Sequence, residues 1–471
     1  MLTRLEVDGF KNLKGFEADF GPFSCIAGPN GVGKSNIFDA IQFISLLADN
    51  SLIEAALKLR GANTENADLR DLFWTDGIER DKELAISAEM IIDQNVKDDF
   101  GRPVEASSTF LRYEIVIGLE ESSFRGSLGG LILKSEKLSY ITEGEAAKRL
   151  KFPHSAKTFR RTSVQNRRRA RQGYISTERS ADGHIEILVH QDGGSSGKPQ
   201  RSPADAAPRT IIATSNTSAT PTILAARREM QRWRILALEP SAMRGADRFQ
   251  DDPHITPSGD HLPATLFRLA NETNSEGDLK VYSRVATRLS DLVSIKKVRV
   301  EKDDVRQLLI LMVEEKTGIK IPARSLSDGT LRFLTLCILG EDPESEGLIC
   351  MEEPENGIHP AKMEAMVELL RSLVVDAQEK AGVDNPLRQL IIATHSPLLV
   401  QLQKKDDVLF AVEVSIKGNS GRAVDTIRCR PLSKTWRCDE RESGVGIGTI
   451  LSYLTTPPGA QISLLEFGLT K

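Results

Sequence analysis

The sequence contains no long hydrophobic run, and no apolar stretch approaches the roughly 20 residues that a membrane-spanning helix needs. The N-terminal segment Met1–Glu6 lacks the apolar core of an export signal. Five scattered cysteines form no C-x-x-C pair, which excludes a disulfide scaffold and fits a reducing compartment. We therefore expect a cytoplasmic protein without a membrane partner.

The sequence also lacks an excess of charge of one sign. Its 62 basic and 66 acidic side chains leave a net charge of −4, so binding to nucleic acid would require a local basic patch. Hydrophobic residues make up 40% and charged residues 27%, which is typical of folded domains. The 471 residues allow two or three lobes, and no internal repeat or sustained heptad pattern indicates a long coiled coil.

A glycine-rich motif follows the predicted strand Phe23–Ala27. It is a complete G-x-x-x-x-G-K-S, formed by Gly28, Pro29, Asn30, Gly31, Val32, Gly33, Lys34 and Ser35. Its backbone N–H groups can converge on phosphate oxygens, and a predicted helix begins at Lys34 with its positive dipole end facing the same anion. We expect Lys34 to reach the β- and γ-phosphates of a nucleotide and the Ser35 hydroxyl to bind Mg²⁺.

A second group of motifs lies about 300 residues downstream. Leu326–Gly329 reads Leu-Ser-Asp-Gly and precedes a helical pattern, where alone it would be an ordinary N-cap. The apolar strand Leu348–Met351 then ends in Glu352 and Glu353. The first acid can hold Mg²⁺ or its water, and the second can polarise an attacking water.

A third apolar strand, Leu390–Ala393, places His395 just beyond its end. Continuous apolar runs of this kind are typical of strands buried on both faces of a parallel sheet. The segments Leu84–Ile92 and Leu111–Leu119 alternate instead, and they predict antiparallel strands with one solvated face.

The order of these motifs resembles the ABC-type ATPase heads of the RecF, SMC and OLD-like branch, and the opening Leu5-x-x-x-Gly9-Phe10-Lys11-Asn12 is similar to that branch too. The strings Leu-Ser-Asp-Gly-Thr-Leu-Arg and Glu-Glu-Pro-Glu-Asn-Gly-Ile-His-Pro further resemble AAA-type ATP-binding proteins of bacterial anti-phage and toxin–antitoxin-like systems, such as PARIS-like ATPases. The resemblance covers about residues 1–50 and 255–400. It implies an α/β fold, namely an ABC-type ATPase head with a P-loop NTPase parallel sheet, an antiparallel β subdomain and a large α+β insertion lobe.

The resemblance also implies roles for single residues. Glu353 would be the general base, His395 would sense the γ-phosphate, and Lys34 would complete the catalytic set. Glu352, where Asp is commoner, would hold Mg²⁺ together with Ser35. ATP would contact the glycine-rich loop and, in addition, Asn36, Lys11 and Asn12.

Other implied roles belong to a second subunit. Ser327, Asp328 and Gly329 would contact ATP held by that subunit, and His359 would lie at the seam between the two copies. The implied partner is therefore a second copy of the chain, bound through ATP in a homodimer or a larger homo-oligomer.

The distance from Lys34 to Ser327 is 293 residues, far more than the small helical lobe of a transporter head requires. We expect four segments: the N-terminal ATPase core at 1–50, antiparallel strands and an insertion lobe at 51–255, the C-terminal ATPase core at 256–410, and an extension at 411–471. Within the insertion, the stretch Gln191–Thr222 is rich in small and polar residues and predicts a mobile loop or linker.

The insertion also contains ten basic and no acidic residues between Ala146 and Thr177. One interpretation is phosphate-backbone binding to DNA or RNA. A second is docking of an acidic partner protein, and a third is a solvated arm. The residues proposed for nucleic-acid contact are Arg160, Arg161, Arg167, Arg168 and Arg169.

Together these patterns predict an ATP-hydrolysing, Mg²⁺-dependent switch that controls DNA or a separate effector protein, with bacterial anti-phage defence as the leading role. Only 76 residues follow His395, too few for an appended nuclease domain, which favours a separately encoded effector. The alternative is a DNA repair or recombination ATPase of RecF/SMC type. A transporter ATPase subunit is a further hypothesis, but the long insertion and the RecF-like opening argue against it.

Overall fold

The computed structural model describes residues 1–59, 68–120, 130–168, 172–180, 182–192, 198–204, 207–272, 278–438 and 444–455. Arg169, one of the proposed nucleic-acid contacts, lies outside the described residues. Within the described ranges, no helix is both long enough and apolar enough to cross a bilayer.

The strands in this part of the chain are β1 (Leu2–Asp8), β2 (Phe16–Asp19), β3 (Phe23–Ala27), β4 (Glu83–Ile91), β5 (Asn95–Lys97), β6 (Pro103–Glu105), β7 (Phe110–Glu120), β8 (Gly130–Tyr140), β9 (Ile175–Arg179), β10 (Ile185–Val189), β11 (Gln200–Pro203), β12 (Arg234–Leu236), β13 (Asp247–Arg248), β14 (Ile295–Asp303), β15 (Leu308–Glu315), β16 (Lys320–Pro322), β17 (Gly347–Glu352), β18 (Arg388–Thr394), β19 (Val408–Lys417) and β20 (Ala423–Pro431).

The α-helices are α1 (Lys34–Leu47), α2 (Leu52–Lys58), α3 (Glu143–Arg149), α4 (Arg161–Ser163), α5 (Ile211–Thr214), α6 (Pro221–Gln231), α7 (Pro240–Met243), α8 (Leu262–Glu272), α9 (Asp278–Leu289), α10 (Asp328–Glu341), α11 (Met363–Ser372), α12 (Pro397–Gln401) and α13 (Ile447–Thr455).

The site is positioned by a six-stranded sheet in the order β12-β17-β18-β3-β19-β20, whose members are parallel except for β20. The core residues of β17 and β18 alternate between two hydrophobic clusters. Leu390 and Ile392 pack into one, while Ile391 and Ala393 pack into the other. This two-residue period explains why the sequence of each strand is continuously apolar: both faces of the sheet are covered.

A second sheet of eight strands, in the order β11-β10-β9-β8-β7-β4-β1-β2, is antiparallel throughout. The predicted strands Leu84–Ile92 and Leu111–Leu119 are confirmed as β4 and β7, which pair directly. Helix α1 joins this sheet to the first, and Phe43 of that helix stacks on Phe10 with ring centroids 5.8 Å apart. Smaller sheets are formed by β13–β16 and by β5 with β6.

The sheets do not follow the segment boundaries expected from the sequence. Strand β12 falls within the segment 51–255, yet it pairs in parallel with β17 of the core sheet. Strands β19 and β20 reach into the segment 411–471 and complete the same sheet. Strand β12 has three residues, which is too short for a periodic pattern to identify. The stretch Gln191–Thr222 contains β11 and α5 among its described residues and is therefore partly ordered secondary structure.

A buried carboxyl group ties the N-terminus of α5 to the large sheet. Glu136 of β8 is fully buried and accepts hydrogen bonds from the backbone N–H groups of Ile211 and Ile212, at 2.6 and 3.0 Å. Burial raises the pKa of Glu136 to about 7, although both backbone N–H groups favour the charged form.

We expect this group to make stability depend on pH. Between its ordinary pKa of 4.5 and the folded value of about 7, the native state binds more protons than the unfolded state, so stability falls as pH rises through this window. The contribution of Glu136 should fall by about 3 kcal/mol, and Glu136→Gln should remove it. Urea unfolding at several pH values measures the difference between wild type and variant. Glu178→Gln, at an exposed acid on β9, is the matched control, and parallel pH profiles for all three proteins would contradict the assignment.

Candidate ATP-binding site

The parallel register of the core sheet brings three distant segments together. Strand β18 lies between β17 and β3, with Thr394 opposite Ala27 and Ala393 opposite Glu352. Beyond the strands, the N–H of Gly28 donates to the carbonyl of Thr394 at 3.1 Å. A cavity of ≈ 330 Å³ opens at this edge and is lined by Asn30, Gly31, Gly33, Lys34, Ser35, Asn36, Glu352, Glu353 and Ala393.

The glycine-rich loop has the backbone that its sequence predicts. Gly33, immediately before α1, has φ of 100°, in a region that side chains rarely adopt. A Cβ atom there would lie 2.2 Å from Nδ2 of Asn12. The Asn12 amide accepts a hydrogen bond from Asn36 at 2.8 Å and donates to the carbonyl of Val32 at 3.3 Å. The loop is therefore held closely against the turn that follows β1.

The ammonium group of Lys34 is held by backbone carbonyls. Its Nζ donates to the carbonyl of Gly28 at 2.8 Å and to that of Pro29 at 2.7 Å. Burial lowers the pKa of Lys34, while the charges of the nearby acids Glu353 and Glu352 act in the opposite direction. No ion pair neutralises this ammonium within the described part of the chain, so its charge remains for an anion in the cavity.

Glu353 begins the turn after β17 and has φ of 48°, which is uncommon for a residue with a side chain. Its N–H donates to the carbonyl of Ala393 at 2.8 Å, which fixes this backbone. One carboxylate oxygen accepts from Nδ2 of Asn356 at 2.7 Å. The other lies 2.7 Å from Nδ1 of His395, out of line with a hydrogen bond, so the pair is a close polar contact. The geometry thus brings the proposed base and the proposed sensor together.

Ser35 and Glu352 both line the cavity, so the predicted Mg²⁺ ligands come from the first turn of α1 and from the end of β17. A serine hydroxyl and a carboxylate are oxygen ligands of the kind that Mg²⁺ prefers. The chemistry of these donors fits the ion.

Lys11 and Asn12 do not line this cavity. The ammonium of Lys11 lies 2.6 Å from a carboxylate oxygen of Asp39, a buried acid of α1. Burying Asp39 without a counter-charge would be costly, and Lys11 supplies that charge. Asn12 supports the loop through the contacts described above. Both residues thus support the site, and their direct contact with a nucleotide stays a prediction.

The signature residues form the N-terminus of α10 outside the cavity. Ser327 caps the helix by accepting from the N–H of Thr330 at 3.3 Å. A Cβ atom on Gly329 would lie 2.1 Å from the carbonyl of Gly357, in the turn that follows Glu353. The signature thus packs against this turn of its own chain and does not line the phosphate-loop cavity of that chain.

An arginine that the sequence analysis missed holds the signature loop. Arg244 donates to a carboxylate oxygen of Asp328 at 2.6 Å and to the carbonyl of Leu326 at 3.0 Å. No local pattern indicates this contact, because Arg244 lies about 80 residues earlier in the chain.

His359, predicted at the dimer seam, is exposed and caps a short 3₁₀ turn by accepting from the N–H of Ala361 at 3.2 Å. Its place at a seam stays a prediction.

The basic stretch is part of the folded structure. Arg168 is buried, stacks 4.2 Å from the ring centroid of Tyr174, and donates to four backbone carbonyls. Its proposed contact with nucleic acid is therefore wrong, because the carbonyls already occupy its guanidinium. Arg167 is exposed and pairs with Glu105, Arg161 is exposed, and Arg160 is half-buried.

The parallel sheet, with its phosphate loop, paired acids and histidine at one edge, and the antiparallel sheet beside it define an ABC-type ATPase head, and the expected fold class is confirmed. The chain belongs to the family described as "AAA domain, putative AbiEii toxin, Type IV TA system", which matches residues 23–401.

Among individual proteins, the chain is 38% identical over 77 residues to Structural maintenance of chromosomes protein 1 of Schizosaccharomyces pombe (strain 972 / ATCC 24843). It is 28% identical over 143 residues to the protein of the same name from Arabidopsis thaliana. These matches cover 15% and 28% of this chain, and 6% and 11% of the relatives, so the chain spans a small part of their length.

Solved structures of SMC heads are also similar. The SmcHead bound to the C-winged helix domain of ScpA has a TM-score of 0.46 at 13% identity, covering 92% of this chain and 99% of that one. The SMC head domain from Thermotoga maritima has a TM-score of 0.36 at 11% identity over the same shares.

Proposed function

We propose that this chain is an ATP-hydrolysing switch that pairs with a second copy of itself through ATP. The observation that carries the proposal is the meeting of Lys34, Glu352 and Glu353 at one cavity, with His395 in contact with Glu353. The signature residues of the same chain lie outside this cavity, as expected if they serve the site of another copy.

The proposed binding step uses the loop and the lysine. The triphosphate lies against the N–H groups of the glycine-rich loop and the N-terminus of α1, where the helix dipole favours an anion. Lys34, whose charge no acid of the described chain neutralises in an ion pair, binds the phosphate oxygens. Ser35 and Glu352 would hold Mg²⁺, which supplies neutralisation of the charge that develops on the phosphates.

The proposed hydrolysis step uses Glu353. Its carboxylate accepts a proton from a water whose oxygen attacks the γ-phosphorus, and the bond from that phosphorus to the bridging oxygen breaks to give ADP and phosphate. Asn356 donates a hydrogen bond to one carboxylate oxygen, and His395 lies against the other. In this proposal, His395 senses the γ-phosphate and transmits its presence through the contact with Glu353.

Glu353→Gln should lower the turnover of ATP by roughly 10²–10⁴-fold, because the amide cannot accept the proton. Nucleotide binding should survive, since Lys34 and the loop remain, and the variant should accumulate in an ATP-bound assembly of two or more copies. Steady-state hydrolysis, a nucleotide-binding titration and light scattering measure the three properties. Glu364→Gln, which changes an exposed acid of α11, is the control and should behave as the wild type. Full hydrolysis by Glu353→Gln would place the base elsewhere.

A site shared between two copies should allow complementation. Lys34→Ala removes the phosphate contact on one side, and Ser327→Arg blocks the signature on the other, so neither variant alone should hydrolyse ATP. In an equal mixture, half of the dimers are mixed and each has one intact site, so about a quarter of wild-type activity should return for a twofold-symmetric pair. If both variants are inactive and the mixture stays inactive, the shared-site proposal fails.

For the biological role, we favour control of a separate effector protein in anti-phage defence. The support is the family description, which names a toxin and a type IV toxin–antitoxin system. Phage plating on cells that express the wild type or Lys34→Ala together with the neighbouring genes tests this role. Equal plating efficiency would contradict it.

The alternative, a DNA repair or recombination ATPase, is supported by the similarity to SMC proteins and by the exposure of Arg161 and Arg167. The half-buried Arg160 directly precedes Arg161 and is tested together with these two residues. Each phosphate contact contributes about 0.9 to the salt dependence of duplex binding, so replacing all three arginines by Ala should reduce the slope by up to about 3.

Salt-dependent binding of unrelated DNA duplexes measures this slope. A triple variant with the same charge change at exposed positions, Arg179→Ala, Lys417→Ala and Arg422→Ala, is the control. If both triple variants bind DNA as the wild type does, the DNA alternative loses its proposed contact surface.

A further inference from the structure

Thr394, at the end of β18, connects three parts of the candidate site. It is fully buried, and its carbonyl accepts from the N–H of Gly28 at 3.1 Å. Its hydroxyl oxygen accepts from the N–H of Ser396 at 2.9 Å. The same hydroxyl donates to a carboxyl oxygen of Glu355, two residues after the proposed base. His395 therefore lies between Thr394 and Ser396, and the hydroxyl of Thr394 holds the backbone N–H of Ser396.

Glu355 is an acid that the proposed reaction does not use. It is 7% exposed, and it lies in the turn between Glu353 and His359. One carboxyl oxygen accepts from Thr394, whereas the other is buried without a hydrogen-bond partner in the described structure. Burial raises the pKa of Glu355, and the nearby charge of Glu353 acts in the same direction. A neutral carboxyl group here still offers a carbonyl oxygen to the threonine hydroxyl.

We propose that Glu355 is a positioning residue for ATP hydrolysis: its carboxyl oxygen fixes the Thr394 hydroxyl, and thereby the orientation in which the backbone presents His395 to Glu353. This inference rests on the function proposed above. The contact between His395 and Glu353 is close but out of line, so it does not by itself determine the direction of the imidazole ring. The direction of the His395 ring therefore depends on the conformation of the backbone at residues 394–396. In this proposal, the hydrogen bonds of the Thr394 hydroxyl fix that conformation.

The binding of ATP should depend much less on this connection. Lys34 is held by the carbonyls of Gly28 and Pro29, and the phosphate loop is joined to Thr394 through its main-chain carbonyl. Removing the threonine hydroxyl or the acid leaves those contacts in place. A positioning role therefore predicts a loss in kcat with little change in nucleotide affinity, whereas a role in folding alone predicts a loss of stability without this separation.

The test compares Glu355→Gln, Glu355→Leu, Thr394→Val, Thr394→Ser and the double variant Glu355→Leu/Thr394→Val. The Leu and Val variants should lower kcat about 10- to 100-fold, because a small misplacement of a catalytic group has effects of this size. Their affinity for ATP should stay within about threefold of wild type. Gln keeps an uncharged acceptor oxygen and Ser keeps the hydroxyl, so these two should stay within about threefold of wild type in kcat. The double variant should be no worse than the poorer single variant, since both changes break one connection.

Thr265→Val is the control for loss of a buried threonine hydroxyl, because Thr265 is fully buried in α8 and its hydroxyl donates to the carbonyl of His261, away from the candidate site. It should keep wild-type kcat. An unchanged kcat in Glu355→Leu, multiplying losses in the double variant, or equal losses in Gln and Leu would each overturn the positioning role. If the Leu and Val variants do not fold, the Gln and Ser variants still decide it, since a large loss of kcat in either contradicts the proposal.

ATP hydrolysis by the wild-type protein distinguishes failure of the positioning role from failure of the proposed function. If the wild type does not hydrolyse ATP with Mg²⁺, the proposed function fails and this inference fails with it. If the wild type hydrolyses ATP and Glu353→Gln does not, but Glu355→Leu is fully active, only the positioning role of Glu355 is lost.

Discussion

The parallel pairing of β3, β17 and β18 is the constraint on which the candidate site depends. Side chains of each strand alternate between two cores, so a shift of one residue would exchange the two sets of packed residues. The register is therefore strongly fixed by packing. The register also determines which residues lie next to one another just after the strands. Gly28, Glu353 and His395 therefore meet at the same edge of the sheet, although they come from distant parts of the chain.

The charged groups at this edge differ from those elsewhere in the way they are held. Lys34 is held by carbonyl groups, and Glu353 by a neutral amide and a loosely aligned histidine. Their charges are therefore not cancelled by strong ion pairs. Lys11, by contrast, is paired with the buried Asp39, and Arg244 with Asp328. The charges of Lys34 and Glu353 at the edge of the sheet remain able to attract a charged ligand. The ion pairs of Lys11 and Arg244 instead stabilise the fold around the site.

This difference also explains what the sequence could predict. Residue type and spacing identify the phosphate loop, the acids after β17 and the histidine after β18, because each motif is local and follows a buried strand. They do not show the partner that a side chain finds across the fold. Arg168 looks like its exposed neighbour Arg167 in sequence, yet it lies over Tyr174 with its donors occupied. In the same way, three-residue strands such as β12 depend on the pairing partner rather than on a pattern of their own.

The contact between Gly329 and Gly357 joins the signature helix α10 to the turn that carries Glu353. At this point α10 meets the turn after β17 so closely that not even a methyl group would fit, since a Cβ atom on Gly329 would lie 2.1 Å from a backbone oxygen. Packed backbones of this kind transmit displacement instead of absorbing it. The turn carries Glu353 at one end and His359 at the other, while α10 carries the signature. Within the proposed dimer, we therefore expect a shift of the signature toward the nucleotide of one copy to displace the turn that holds the proposed base of its own chain, which would link closure at one site to hydrolysis at the other.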